Sequence, residues 1–294
     1  MPRLTGQHDS IRMIAREHRL PKTIVLLTDF GTQDAYVGIM KGVIAGIDAQ
    51  ARLIDLTHSI PPGDIHRAAF ELWRAVNYFP KDSIYLTVVD PGVGTLRRSI
   101  AVRWSTFAAV GPDNGVFSFL YVHENPLAAV ELTNTAYHLE PTSQTFHGRD
   151  IFAPVAAHLS YGVRFKDVGK PIEYPVRFPM PLLQVERGPT IRGAIMHADR
   201  FGNLITSIGY LKREGKILTF DPWLPELPCI TFTGEPHVYL KKHYPLPIHS
   251  TFMEVPEGRP VAYIGSSGLL EIAINAGNAA DTLKLSPEQR VLLH

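Results

Sequence analysis

From Thr23 the chain alternates between two textures. TIVLLT, ARLIDL and SIYLTVV, starting at Thr23, Ala51 and Ser83, are short dense apolar runs and predict buried strands. Between them, DAYVGIMKGVIAGI from Asp34 and DIHRAAFELWRAVNYF from Asp64 space their apolar residues at helical intervals. In the second helix Phe70, Trp73, Val76 and Tyr78 are expected in or beside the core. SIAVRW and FAAVG predict two more strands, and NGVFSFLY a short helix. DIFAPVAAHLSYGV, from Asp150, predicts a helix whose Pro154 falls in or near the first turn, where proline is tolerated. This alternation argues for an α/β domain with a mostly parallel sheet and crossover helices.

After that helix the pattern changes. IEYPVRFPMPLLQVERGPT carries Pro175, Pro179, Pro181 and Pro189 and reads as a linker. Beyond it lie short strand-like runs separated by turn residues: TIRGAIMHA, NLITSI, KILTFD, CITFTG, HVYLKK, PVAYIG and LLEIAIN. They predict a smaller β-rich domain, a barrel by expectation. The expected layout is a tail over 1–22, an α/β domain over 23–174, a linker over 175–190 and a β-barrel over 191–294.

Composition narrows the function. The 294 residues are 45% hydrophobic and 19% charged, which is ordinary for a globular chain of about two domains. A formal net charge of +1 supplies no field for nucleic acid or a membrane surface, so a small molecule is the expected partner. Cys229 stands alone, which excludes an intrachain disulfide and fits a reducing, cytoplasmic setting. No apolar run reaches transmembrane length. The first 22 residues lack the continuous apolar stretch of a secretory signal and read as a basic tail or short helix, interrupted by Asp9 and Glu17.

Candidate chemistry sits where strands end, because parallel sheets bind ligands at the carboxyl ends of their strands. The first strand runs into Asp29 and the third into Asp90, followed by a Pro-Gly-x-Gly turn and Arg97. Each acid alone reads equally as a cap or turn residue; two on one rim point to a site, and a carboxylate can accept both hydroxyls of a ribose diol. In HGRD, Asp150 suits a helix N-terminus, which leaves His147 as a proton-handling candidate. DRFGN, ending at Asn203, reads as a hairpin, and GSSG, containing Ser266, as a turn. Glu271, in an apolar strand, calls for a partner or ligand. GVG lacks dinucleotide-binding spacing, no HExxH or GxSxG occurs, and His58, His66 and His147 have no compact metal spacing.

Six motifs occur in order: TDFGTQDAYVGIMKG, DLTHSIPPGD, VVDPGVGTLRR, TFHGRDIFAPVAAHL, DRFGN and GSSGLLEIAINAGNAA. Over about residues 23 to 281 the sequence resembles the S-adenosyl-L-methionine (SAM) hydroxide adenosyltransferases, adenosine-forming SAM hydrolases related to the fluorinase and chlorinase. The resemblance implies an N-terminal α/β domain, a C-terminal β-barrel, and a homotrimer whose active sites lie between subunits. It implies hydrolysis of SAM to adenosine and L-methionine, with SAM as substrate and no cofactor or metal. It places the catalytic residues at Asp90, Arg97 and His147, the turn folding Arg97 back beside Asp90 where a water can be held. It places Asp29 on the ribose hydroxyls, and Asn203, Ser266, Glu271 and the backbone around Ile274 on the ribose, adenine or methionine portions. The halogenase branch replaces the Asp-Arg-His set, and the fluorinase has a serine where Gly148 stands; the intact set favours hydrolysis. A SAM-dependent chlorinase, a non-catalytic SAM or adenosine sensor, and a metal-dependent phosphohydrolase using Asp29, Asp90 and His147 are the alternatives.

Overall fold

A computed structural model of the protein describes residues 22–122, 124–240 and 245–294. The expected tail lies, Lys22 apart, outside them. Contacts gather the chain into two units, 22–119 with 124–177, and 178–294 with 120–122.

The first unit holds a seven-stranded sheet ordered β2-β1-β3-β5-β4-β6-β7. The strands are β1 (Thr23–Thr28), β2 (Arg52–Thr57), β3 (Ser83–Val88), β4 (Ser99–Arg103), β5 (Phe107–Pro112), β6 (Ala128–Glu131) and β7 (Lys170–Pro171). Pairing is parallel from β2 to β5 and antiparallel beyond. β2, β1, β3, β5 and β6 therefore run one way, β4 and β7 the other. Every residue of β1 and β3 is buried, as expected of strands covered on both faces. Helices α1 (Tyr36–Ile47) and α3 (Ala153–Tyr161) cover one face, where Met40, Ile44, Val155 and Leu159 pack with Ile24, Leu26, Ile84 and Leu86. Helix α2 (Ile65–Ala75) belongs to the other, where the Tyr85 hydroxyl donates to the Val76 carbonyl at 2.9 Å. Asp64 caps α2 by accepting from the Arg67 N–H at 2.9 Å.

After β1 the chain crosses to β2 on one side, then returns to β3 on the other. This reversal opens a crevice between the carboxyl ends of β1 and β3, the usual place for a ligand in an open α/β sheet. Asp29 and Asp90 follow those two strands.

Two local expectations need correction. Tyr78 is 81% exposed. α2 stops at Ala75 and a 3-10 turn, Val76–Tyr78, follows; its tighter winding swings Tyr78 off the buried stripe. The helix read from Asp150 begins earlier as a π-turn, Gly148–Phe152, in which the Ala153 N–H bonds to the Gly148 carbonyl. Pro154 then falls at the start of α3.

The second unit is built on a closed ring of seven strands, β10-β17-β16-β15-β14-β18-β9, closed by a β10–β9 pairing. They are β9 (Ile191–Ala198), β10 (Leu204–Thr206), β14 (His237–Leu240), β15 (Leu246–His249), β16 (Pro260–Ile264), β17 (Leu270–Ile274) and β18 (Arg290–Leu293). β8 (Leu183–Val185), inside the stretch read as a linker, pairs with the start of β9. β11 (Leu211–Glu214), β12 (Ile217–Phe220) and β13 (Ile230–Phe232) make a separate antiparallel meander.

Asp113, its side chain 1% exposed, ties the end of the first unit to its sheet. It accepts from Arg98 Nε and from the Val176 N–H, each at 2.7 Å, while Arg98 also donates to the Tyr174 carbonyl. Removing one member of a buried pair strands the other, discounted here because Arg98 is one-third exposed. Asp113→Ala is expected to cost about 2 kcal/mol, read by calorimetry as a melting temperature about 5 °C lower. An unchanged melting temperature would refute the clamp.

Candidate active site

Past Val88 the chain leaves β3 and turns sharply. The Val93 N–H bonds to the Asp90 carbonyl at 3.2 Å, and the Thr95 hydroxyl to the Gly92 carbonyl at 2.7 Å. Gly94 has φ +78°, which glycine adopts without strain. A Cβ there would stand 2.5 Å from the Gln144 carbonyl oxygen. This close approach seats the turn on the segment that carries His147.

The turn delivers Arg97 back to Asp90. Nε donates to Oδ1 at 2.8 Å and Nη2 to Oδ2, a bidentate pair whose side chains are 9% and 5% exposed. Nη1 donates to Ser99 Oγ at 2.8 Å and to the Arg98 carbonyl at 3.3 Å. The second N–H of Nη2 goes to His147 Nδ1 at 2.7 Å. All five guanidinium N–H groups thus have an acceptor. The Phe152 ring lies 5.3 Å from the guanidinium carbon, a cation–π contact.

Arginine can only donate, so His147 Nδ1 accepts, and the proton of the neutral imidazole sits on Nε2. Burial pushes the His147 pKa below 6.5, the Arg97 charge pushes the same way, and Asp90 and Asp150 oppose. Asp150, 1% exposed, accepts from Arg149 at 2.6 and 2.9 Å and from the Ser143 N–H at 2.8 Å, bracing the loop around His147. Phe30, Tyr36 and Phe146 form an aromatic trio with centroids 5.2–6.0 Å apart. At Gly148 a Cβ would meet Met40 Sδ at 3.2 Å and Phe146 at 3.3 Å.

Asp29 follows β1 on the same rim as Asp90, its Oδ2 accepting from the Gly63 N–H at 2.8 Å. Gly63 also stands beside Pro91: a Cβ there would be 3.6 Å from the proline Cβ. The other expected ligand residues belong to the barrel unit and line β17 and its neighbours. Glu271 pairs across the strands with Ile205 on one side and Tyr263 on the other. It is 9% exposed and accepts from the Tyr263 hydroxyl at 2.6 Å. Burial, then Glu271, pushes the Tyr263 pKa up. Ser266 is exposed in the β16–β17 turn, Ile274 is buried at the end of β17, and Asn203 opens β10 with its amide on Asp199 at 3.0 Å. Among the described residues no group of three or more His, Cys, Asp or Glu side chains could hold a metal, so Asp29, Asp90 and His147 do not assemble into one. No described helix is long and apolar enough to cross a membrane.

Sequence reading missed Ser99, Phe152, Gly63 and the Gly94–Gln144 contact. Only Gly94 left a signal, in the turn it closes.

A buried Asp–Arg–His chain on the carboxyl rim of a mostly parallel sheet, with a small closed barrel in the second unit, defines a two-domain enzyme class. Residues 24–169 match the SAM hydroxide adenosyltransferase N-terminal domain and residues 193–292 its C-terminal domain, and the chain belongs to that family. It is 37% identical over 289 residues to the (R)-S-adenosyl-L-methionine hydrolase of Thermus thermophilus, covering 92% of this chain and 99% of that protein. It is 38% identical over 271 residues to the hydrolase of the same name from Salinispora tropica, covering 91% and 96%. A fluorinase from an Actinoplanes species is 27% identical over 284 residues, covering 87% and 92%. Among solved structures, a conserved protein from Thermotoga maritima superposes with a TM-score of 0.79 at 32% identity, over 92% of this chain and 99% of that one.

In an NMR titration of the histidine C–H signals, His147 is expected to titrate below 6.5, and Arg97→Gln to raise it by removing the adjacent charge. A His147 signal titrating above 6.5 in the unmodified protein would contradict this environment. Because the folded state depresses this pKa, the stability it contributes is in place above about 6.5 and fades as pH falls below that value. Gly94→Ala forces a left-handed alanine against the Gln144 carbonyl and is expected to lose at least about 1–2 kcal/mol, measured by denaturant unfolding; unchanged stability would show that the contact is slack.

Proposed function

We propose that the protein hydrolyses S-adenosyl-L-methionine to adenosine and L-methionine through attack of water or hydroxide on the ribose 5′-carbon. The observation that carries this reading is the Asp90–Arg97–His147 chain, which ends in an imidazole Nε2–H. The leaving sulfonium departs as a neutral thioether and needs no acid. The demand falls on the nucleophile, because water is weak and hydroxide scarce at neutral pH.

In this mechanism His147 Nε2–H donates to the attacking oxygen and stabilises its hydroxide character. With its five N–H groups engaged, Arg97 acts through its charge and by holding the His147 tautomer; Asp90 orients and balances Arg97. The water proton leaves to solvent, and atoms balance as SAM plus water giving adenosine, methionine and a proton. Holding the oxygen in line with the carbon–sulfur bond supplies much of the rate. Hydroxide and sulfonium cancel charge as they react, so a dry pocket favours the transition state over separated ions.

Asp29 grips the ribose hydroxyls; Asn203, Ser266, Glu271 and the backbone at Ile274 hold the ribose, adenine and methionine portions. The reaction uses no cofactor and no metal. The family resemblance supports a cytoplasmic homotrimer with active sites at subunit interfaces, and the near-neutral net charge supports a protein that engages neither nucleic acid nor membrane. The names of the hydrolase relatives specify the (R) sulfonium, and we extend that preference to this chain.

The test is product analysis by chromatography and mass after incubation with each sulfonium epimer of SAM, with and without chloride and a chelator. Adenosine plus methionine is expected, indifferent to both additions. 5′-Chloro-5′-deoxyadenosine would make the protein a chlorinase, and binding without product would make it a sensor. Arg97→Ala and His147→Ala are each expected to cut kcat roughly 100- to 1,000-fold; full turnover in both would sink the site. Protonating His147 ends its acceptance from Arg97, so kcat/KM should fall on the acid side, below pH 6.5.

A further inference from the structure

DLTHSIPPGD spans the end of β2 and the loop into α2, and its Asp55 and His58 take no part in the proposed chemistry. They belong to a polar chain that enters the first unit from its surface. Lys41 Nζ lies 2.6 Å from Asp55 Oδ2, and His58 Nε2 lies 3.1 Å from Asp55 Oδ1. His58 Nδ1 lies 2.9 Å from Thr28 Oγ1, which accepts from the Phe30 N–H at 3.3 Å. His58 is 6% exposed and Thr28 fully buried.

The Phe30 N–H occupies a lone pair of the Thr28 hydroxyl, and the same hydroxyl shares a hydrogen bond with His58 Nδ1. His58 Nε2 stands close to Asp55 without meeting hydrogen-bond geometry. Asp29 lies between Thr28 and Phe30. The next N–H, that of Gly31, bonds to the His58 carbonyl at 2.8 Å. Asp29 is therefore bracketed by two ties to His58, one through the Thr28 side chain and one through the Gly31 N–H. A valine would fill the end of a buried strand as well as Thr28 does; the hydroxyl adds only the polar link.

We propose that Thr28 and His58 are positioning residues for Asp29, fixing the backbone that presents its carboxylate to the ribose diol of the substrate. This rests on the reading of Asp29 as the ribose-binding carboxylate.

The experiment compares binding of adenosine and of 2′,3′-dideoxyadenosine by calorimetry, using the full chain and its Asp29→Asn, Thr28→Val, Thr28→Ser and His58→Gln variants. The unmodified protein is expected to prefer adenosine, and equal binding of the two ligands would overturn the ribose reading. The preference is expected to shrink roughly tenfold in Asp29→Asn, as for a hydrogen bond to a charged group. In Thr28→Val and His58→Gln it shrinks roughly three- to tenfold, with KM for SAM rising more than kcat falls. Thr28→Ser, which restores the hydroxyl, retains it. A merely structural role would lower the melting temperature and leave the preference between the two ligands intact. That result in Thr28→Val and His58→Gln, with Asp29→Asn behaving as expected, overturns the positioning role alone. An intact preference in Asp29→Asn overturns the ribose reading itself. Should Thr28→Val fail to fold, His58→Gln makes the same comparison.

Discussion

The site depends on keeping one buried guanidinium charge satisfied. Moving such a charge out of water is costly unless it is paired and hydrogen-bonded. Asp90 supplies the opposite charge in bidentate geometry, and Ser99, the Arg98 carbonyl and His147 take the remaining donors. Other features answer to that demand. The Pro-Gly-x-Gly turn returns Arg97 to the acid that closes the strand, the Phe152 ring covers the guanidinium, and the bare Gly94 lets the His147 segment close on the turn. Asp90 and His147 are joined only through Arg97, which bonds to both and makes them a single electrostatic unit.

The sheet supplies placement. The change of direction between β1 and β3 opens the rim where Asp29 and Asp90 emerge. Those strands are buried throughout, which fixes the height at which each carboxylate appears. The β2–α2 loop then braces the rim, through Gly63 on the Asp29 side chain and His58 on the Gly31 backbone.

Elements with strong periodicity were legible in the sequence. β1 to β3 and the helices that link them follow from apolar spacing alone. β8, β11, β15 and β18 were not, being short and interrupted: β11 is Leu-Lys-Arg-Glu and β15 contains Pro247. β15 and β18 pair through closure of the ring, β11 through the meander and β8 alongside β9, none of which a local window records. Tyr78 failed because periodicity cannot show where an α-helix tightens to a 3-10 turn. In the site, the acids could be found because strand ends are conspicuous, and His147 because the cap role of Asp150 left it unexplained. The acceptors of Arg97 and the tautomer of His147 could not, because they depend on side chains as much as fifty residues apart meeting within 3 Å.

The saturation of Arg97 also bears on what the site ignores. An arginine with free N–H groups is a ready receptor for phosphate, carboxylate or halide, and the cell is crowded with all three. With every donor turned inward, this arginine lends its positive potential to the pocket and offers no fork for a passing anion to grasp. The arginine's charge is thus felt in the site without its N–H groups being offered there, and the group presented beside it is the His147 imidazole.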